Sequence, residues 1–383
     1  MTDKNNCGHC GRVCESGTCS GGACRPVLVI NTPDSPTGFR YRAQVSNGKV
    51  YVWEYTTAPA VPHFYLYSAP APATAITSAP AGTVIQDIVQ NANPNLNISA
   101  ATFDSTFLYE AEPGTTTGLV SRKKLDGSEP TGTPTALFRL PGVDPGYPAS
   151  GGKPAKPSSM LVWSNIVVDG TAAYLTGTTT ANGGAFPEDD NSAIYVIAPF
   201  PATSTIQATK LTGTDNLGYI ITDLTVANGH LFWFDNHPDV TLRTLWTVPT
   251  TGGTPVKLEV DVSSADHASI TSDGTYVYWD LANSQGQLKR CALANLTAAS
   301  ATVVTDVQSP IEGLVVDDSF VYYATLDDLR TAWRVPKAGG TAEPLGSAAI
   351  PPNVRIDRLI GVDAAYLYFS DLDAKLYRMY KTP

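Results

Sequence analysis

The sequence is short of charge, of methionine and of anything that reads as a long helix. Asp, Glu, Lys and Arg make up 16% of its 383 residues, and three residues are Met. Lys and Arg number 25 against 35 Asp and Glu, a formal net charge of −10, and no basic cluster breaks that balance. Nucleic acid and anionic membrane surfaces are therefore poor partner candidates. No run of eighteen apolar residues occurs, which excludes a hydrophobic helix crossing a membrane. The G-x-S-x-G elbow, the H-E-x-x-H pair and the P-loop are missing too, and with them the common signatures of hydrolases and nucleotide enzymes. Cysteine is scarce outside one place: Cys291 stands alone, and the other five fall between Cys7 and Cys24.

What the chain does contain is 43% hydrophobic residues, 32 Gly and 29 Pro. That supply fills a sizeable core and suits many short strands joined by turns. The length allows two or three ordinary domains or one large all-β domain.

One phrase recurs: Asp or Asn, a small or polar stretch, then an aromatic-rich strand. The copies are "SNGKVYVWE" at Asn47, "FDSTFLYEA" at Asp104, "VDGTAAYLT" at Asp169, "ANGHLFWFD" at Asn228, "SDGTYVYWD" at Asp273, "VDDSFVYYA" at Asp317 and "VDAAYLYFS" at Asp363. The last three intervals are 45, 44 and 46 residues; the first three are 57, 65 and 59 and carry insertions. A second phrase follows within the repeat, as "LWTVPTTGGTPVKL" from Leu245 and "AWRVPKAGGTAEPL" from Ala332. Each repeat thus reads as strand a, an Asp/Asn turn, strand b, a loop, strand c, a Gly-rich turn and strand d. Asp-Gly and Asn-Gly supply the positive φ that tight hairpins need. Four antiparallel strands in about 45 residues describe a propeller blade.

The seventh copy stops after strand c, at "YRMYKTP", while "PVLVIN" (26–31) precedes the first copy without a blade of its own. The expected fold is all-β: a seven-bladed β-propeller whose last blade is completed by this N-terminal outer strand, which removes an open sheet edge. The expected domains are a Cys-rich segment at 1–25 and a propeller at 26–383. The blades are set at 33–90, 91–150, 156–215, 216–264, 265–309, 310–352, and 353–383 plus 26–31. The repeat resembles that of secreted bacterial β-propellers with D-x-x-x-V-Y-W units, over residues 26 to 383.

The cysteines Cys7, Cys10, Cys14, Cys19 and Cys24 are spaced C-x2-C-x3-C-x4-C-x4-C. The spacing favours disulfides in an oxidising compartment over zinc, whose ligands usually come as two separated pairs. Because "MTDKNNCG" holds no apolar signal, export implies a leader already removed. The segment "NNCGHCGRVC" resembles the Cys-rich segments of exported proteins and lipoproteins of myxobacteria and their relatives. That resemblance implies an extracellular, periplasmic or outer-surface location, with a lipid anchor on the precursor as an option. Cys291 aligns with Val248, Val335 and Met379, a core position that makes it a buried thiol; a bridge to the odd leader cysteine is the competing reading.

Five residues before each anchor, strand a carries Arg42, Ser99, Ser164, Asp223, Ala268, Glu312 and Arg358. His267 and Asp357 lie one residue earlier. In a propeller these positions face one channel mouth. Asp223, Glu312 and Asp357 are the candidate ligands of calcium or another divalent cation, His267 the candidate catalytic residue, and Arg42, Ser164, Asn165 and Arg358 the candidate ligand-binding set. Acidic b–c loops, among them "PEDDN" and "DNHPD", belong to the same face. Two functions compete. One is a secreted or surface-anchored recognition protein whose loop-bearing face and channel hold a protein, glycan or small molecule. The other is a metal-dependent hydrolase of lactones, esters or phosphotriesters, similar in plan to propeller lactonases with channel calcium.

Overall fold

The computed structural model describes residues 7, 14, 16–20, 22–30, 40–46, 49–56, 63–70, 83–89, 100–112, 117–126, 135–141, 143–144, 159–180, 192–198, 200, 208–214, 221–235, 242–263, 269–281, 286–307, 309–325, 331–345, 350–372 and 375–381. In the first sheet the side chains described are those of Val50 and Tyr51, the rest being backbone. Among these residues the structure is all-β, apart from one 3-10 turn at Ala298–Ser300.

Beyond a small hairpin of Cys19–Ser20 and Ala23–Cys24, the described strands form seven antiparallel sheets. Within each sheet the a, b and c strands neighbour one another in sequence order, and in six of the seven the d strand follows from the same repeat. Sheet 1 is Arg40–Ser46, Lys49–Thr56, His63–Pro70 and Thr83–Val89. Sheet 2 is Ala100–Phe103, Phe107–Glu112, Thr117–Lys124 and Thr135–Pro141. Sheet 3 is Ser159–Val168, Ala173–Thr180, Ser192–Ile197 and Thr209–Lys210. Sheet 4 is Ile221–Ala227, His230–Asp235, Leu242–Pro249 and Val256–Ser263. Sheet 5 is Ile270–Ser272, Tyr276–Leu281, Gln287–Ala292 and Thr302–Asp306. Sheet 6 is Ile311–Val316, Phe320–Thr325, Ala332–Pro336 and Glu343–Leu345. Sheet 7 is Ile356–Val362, Tyr366–Asp371 and Leu376–Tyr380, and its fourth strand is Val27–Ile30.

That last strand runs antiparallel to Leu376–Tyr380, with Val27 opposite Arg378 and Leu28 opposite Tyr377. It is the pairing that the truncated final repeat calls for. One strand departs from the expected boundaries. Val143–Asp144, placed in the second repeat by sequence, pairs instead with Ser159 and Met160 and gives sheet 3 a fifth strand.

The chain divides into two compact units, Met1–Val89 with Ala265–Asn295 and Ser300–Pro383, and Gln90–Ser264 with Leu296–Ala299. In the first, the a strands of sheets 5, 6, 7 and 1 neighbour one another in that order; in the second, those of sheets 2, 3 and 4 do. Because successive sheets stack face to face, the b strands are covered on both sides. They therefore read as continuous apolar runs rather than alternating ones. Leu231, Phe232, Trp233 and Phe234 are all fully buried, as are Val277, Tyr278 and Trp279. Tyr322 of sheet 6 packs with Leu359, Leu367, Phe369 and Met379 of sheet 7. Tyr278 of sheet 5 packs with Leu314, Val321 and Val335 of sheet 6. Aromatic side chains of this size carry the largest share of burial energy per residue.

The Gly-Gly pair of the second phrase does more than turn the chain. Gly253 donates its N–H to the carbonyl of Thr212, at the outer edge of sheet 3, at 2.9 Å. Gly340 donates to Val304 of sheet 5 at 3.2 Å. A Cβ on Gly252 would lie 2.9 Å from the Thr212 carbonyl oxygen, and both glycines of each pair have positive φ. The c–d turn of one sheet thus laps over the outer strand of the preceding one and satisfies part of an edge that would otherwise invite pairing.

Candidate functional site

Strand a has two ends, and they are built differently. At its C-terminal end stands the anchor. In five copies (Asp104, Asp169, Asp273, Asp317 and Asp363) the Asp Oδ1 accepts hydrogen bonds from the backbone N–H groups two and three residues on, at 2.6–3.0 Å. The Oδ2 accepts from a tyrosine hydroxyl five residues on: Tyr109, Tyr174, Tyr278, Tyr322 and Tyr368. The carboxylate therefore closes the turn itself, as an Asx-type turn. The sequence-based expectation of positive φ at Asp-Gly and Asn-Gly holds at Asn228, Gly229, Gly170 and Gly274. The same carboxylate bonds close the turn whether glycine follows the Asp, as at Asp169 and Asp273, or serine or alanine, as at Asp104 and Asp363.

Within each unit the anchor also ties neighbouring sheets together, 5 to 6 and 6 to 7 in the first and 2 to 3 and 3 to 4 in the second. The residue just after strand c donates its N–H to the a–b turn of its own sheet, as Lys337 does to Ser319 and Lys381 to Ala365. Its side chain then reaches the preceding sheet. Lys337 Nζ lies 2.6 Å from Asp273 Oδ2, and Lys381 Nζ 2.7 Å from Asp317 Oδ2. In the second unit the same position carries Phe200, whose ring sits 4.9 Å from that of Tyr109, and Thr250, which hydrogen-bonds Tyr174. An arginine on strand c completes the arrangement. Arg290 and Arg334 donate to the carbonyls of Lys337 and Lys381 respectively. Their guanidinium groups cover Tyr276 and Phe320, each 4.6 Å from the ring centroid.

The charges respond as this geometry requires. Burial pushes Asp273 and Asp317 up, but the lysine, the two backbone amides and the tyrosine hydroxyl outweigh it and hold each carboxyl below its ordinary value. Tyr278 and Tyr322 are raised, by burial first and by the neighbouring aspartate. This end of the sheets is structural, and its polar groups face one another.

In sheets 3, 4, 6 and 7 the other end of strand a is irregular. The ladder slips between Trp163 and Asn165, between Thr222 and Thr225, between Ile311 and Leu314, and between Ile356 and Arg358. Each slip places one extra residue on strand a, a β-bulge of the kind that re-aims side chains near functional sites. The residues at these bulges are Ser164, Asp223, Glu312 with Gly313, and Asp357. Ser164, Asp223 and Glu312 stand five residues before their anchors, and Asp357 six. Asp223 has φ 51°, a left-handed backbone for a non-glycine residue. At Gly313, φ is 89° and a Cβ would come within 2.6 Å of the Leu359 backbone nitrogen, so the a strands of sheets 6 and 7 approach too closely for a side chain there.

The predicted residues meet different fates. Asp357 is exposed and accepts from Ser370 Oγ at 3.4 Å, while Arg358 beside it is half-buried. Glu312 is buried. Asn165 donates to Thr176 Oγ1 at 3.1 Å and to the Ile221 carbonyl at 2.9 Å, so it links sheets 3 and 4. Ser269 does the corresponding work in the first unit, accepting from Gly313 N–H at 3.2 Å. Asp223 belongs to the second unit, Glu312 and Asp357 to the first. Arg42 lies in a regular ladder opposite Trp53; its side chain, that of Ser164 and all of His267 lie outside the described residues. Two acidic loop residues are used locally. Asp235 accepts from Thr244 N–H and Trp246 Nε1, and Asp371 from Lys375 N–H. Glu188, Asp189, Asp190, His237 and Asp239 lie outside the described residues.

In the leader, Cys7 bonds to Cys19 and Cys14 to Cys24, and Cys10 lies outside the described residues. Among the described residues, Cys7, Cys14 and Cys24 are the one His/Cys/Asp/Glu trio whose ligand atoms lie within 4.8 Å of one another, and all three sulfurs are spent in disulfides. Cys291 is buried and in no disulfide, at the position of Val248, Val335 and Met379, which corrects the alternative of a bridge to the leader. Its Sγ sits 3.1 Å from Ser300 Oγ.

No protein-family profile matches the chain, and no curated protein matches it in sequence. Solved structures do resemble it in shape. The β-propeller domain of Myceliophteria thermophila Cps50 (Swd1) aligns at 9% identity and a TM-score of 0.53, over 94% of this chain and 99% of that one. A chain of the mitotic checkpoint complex aligns at 12% identity and a TM-score of 0.51, over 94% and 96%. A chain of the nidogen/laminin complex aligns at 14% identity, over 79% and 90%, with a TM-score of 0.41. At such low identity the first two likenesses speak to architecture alone, and with the all-β sheets above they identify the fold as that of the β-propellers.

Proposed function

We propose that this chain is an exported recognition module. In this reading the chain is a seven-bladed propeller completed by Val27–Ile30, and in its first unit the bulged end of strand a, at Glu312 and Asp357, holds a protein partner. The observation that carries it is the contrast between the two ends of strand a. In the first unit the anchor end repeats one hydrogen-bonded unit at Asp273, Asp317 and Asp363, whereas the bulged end changes from a buried Glu312 to an exposed Asp357. A surface that varies on a frame that does not is how a propeller acquires a specific face. Propellers in solved assemblies such as the mitotic checkpoint complex support the choice of a protein as ligand. The leader disulfides support an oxidising compartment.

The net charge of −10 and the acidic residues at the bulges favour a partner with a basic patch. Selection of a displayed peptide library on immobilised protein tests this. Recovered binders should carry net positive charge, weaken steeply with salt, and lose at least tenfold in affinity against Asp357→Arg. Binders indifferent both to salt and to Asp357→Arg would overturn the reading.

A further inference from the structure

The leader sits where the two ends of the chain meet. Cys19 and Cys24 face each other in its hairpin, and Arg25 N–H donates to the Thr18 carbonyl at 3.1 Å. Three residues after Cys24 begins the strand Val27–Ile30, which completes sheet 7. The buried leader residues form one cluster, Cys7, Cys14, Cys19 and Cys24, and the side chain packed against it is Tyr380. Tyr380 is the last residue of the strand with which Val27–Ile30 pairs, and its ring lies 5.0 Å from that of Tyr366. Among the described residues the leader cluster contains no aliphatic side chain. A segment of this size holds a fixed shape only through cross-links. The strand it positions is also short, with three paired residues and an irregularity between Leu28 and Ile30.

We infer that the two leader disulfides form a redox latch on sheet 7. Oxidised, they hold the hairpin against Tyr380 and present Val27–Ile30 to Leu376–Tyr380. Reduction by a dithiol breaks each S–S bond and makes two S–H groups. Two electrons and two protons pass to each bridge, and the dithiol closes to its own disulfide. The hairpin then loses its shape, Tyr380 loses its cover, and the fourth strand leaves the sheet while the other sheets persist. The latch depends on the observed pairing of Val27–Ile30 and on the cluster at Tyr380, not on any ligand.

Hydrogen exchange read by mass spectrometry tests this on the folded full chain, before and after dithiothreitol. Alkylation should first show four more reactive thiols after treatment. Exchange in peptides covering Val27–Ile30 and Leu376–Tyr380 should then rise at least tenfold, with Ser192–Ile197 of sheet 3 unchanged. Tyr380→Ala in the oxidised protein should raise exchange at Val27–Ile30 by a smaller factor. Unchanged exchange at Val27–Ile30 after full reduction would overturn the latch. So would an equal rise at Ser192–Ile197, because the bridges would then support the whole molecule and not one seam.

Discussion

The two ends of strand a follow opposite rules. At the anchor end, Asp273 and Asp317 repeat the same hydrogen bonds, the same tyrosine five residues on and the same lysine from the next sheet. At the bulged end, Glu312 is buried, Asp357 is exposed, and Asp223 takes a left-handed backbone. The difference separates two tasks. A turn that closes with its own side chain and clips the neighbouring sheet sets the stacking of the sheets. A bulge adds a residue without disturbing that stacking, so its side chain is free to differ from copy to copy.

Substitutions at the two ends should therefore differ in kind as well as in size. The largest effect belongs to the tyrosine of the anchor. Tyr322→Ala removes a buried ring from between sheets 6 and 7 and leaves Asp317 without its hydroxyl donor. It should cost about 3–5 kcal/mol, read from the denaturant midpoint. Gly313→Ala comes next at roughly 1–3 kcal/mol, because its φ is positive and the new methyl meets the Leu359 backbone. Its cost would mark the backbone approach, rather than the side chains, as the fixed part of the bulged end.

Asp317→Asn follows at about 1–2 kcal/mol at neutral pH, since the hydrogen-bonded turn survives while the charge facing Lys381 is lost. Its pH dependence carries a sign. The carboxyl is held below its ordinary value, so its stabilising contribution is present above about pH 4 and disappears as pH falls through the lower folded value. The wild type should therefore lose stability below pH 4 more steeply than the Asn variant. The smallest effect is expected of Asp357→Asn, within about 0.5 kcal/mol in stability. A larger loss there would erase the distinction between the two ends.

Much of the scaffold was legible because short-range chemistry sets it. The Asp/Asn anchors, the four-strand repeat and the spare strand at Val27–Ile30 could all be read by counting residues. The aromatic five residues after each Asp was visible too, but its role was not. A hydroxyl bond between Asp273 and Tyr278, and a lysine arriving from the next repeat, depend on strand register and sheet stacking. The Gly-Gly pairs were legible as turns, whereas their contact with the preceding sheet was not, for the same reason. Counting back from the anchors leads to Ser164, Asp223 and Glu312, but that the ladder slips there depends on strand register. It could not tell that Asn165 would be taken up by the Ile221 carbonyl. The leader spacing suggested disulfides, but which cysteines pair is fixed by the hairpin at Cys19–Cys24.

The most direct test is a double-mutant cycle on Asp317 and Lys381, residues 64 apart in sequence whose side chains meet across two sheets. Stabilities of wild type, Asp317→Asn, Lys381→Met and the double variant should give a coupling of about 0.5–2 kcal/mol. Additive losses within about 0.3 kcal/mol would contradict the account, since the lysine would then not be holding one sheet to the next.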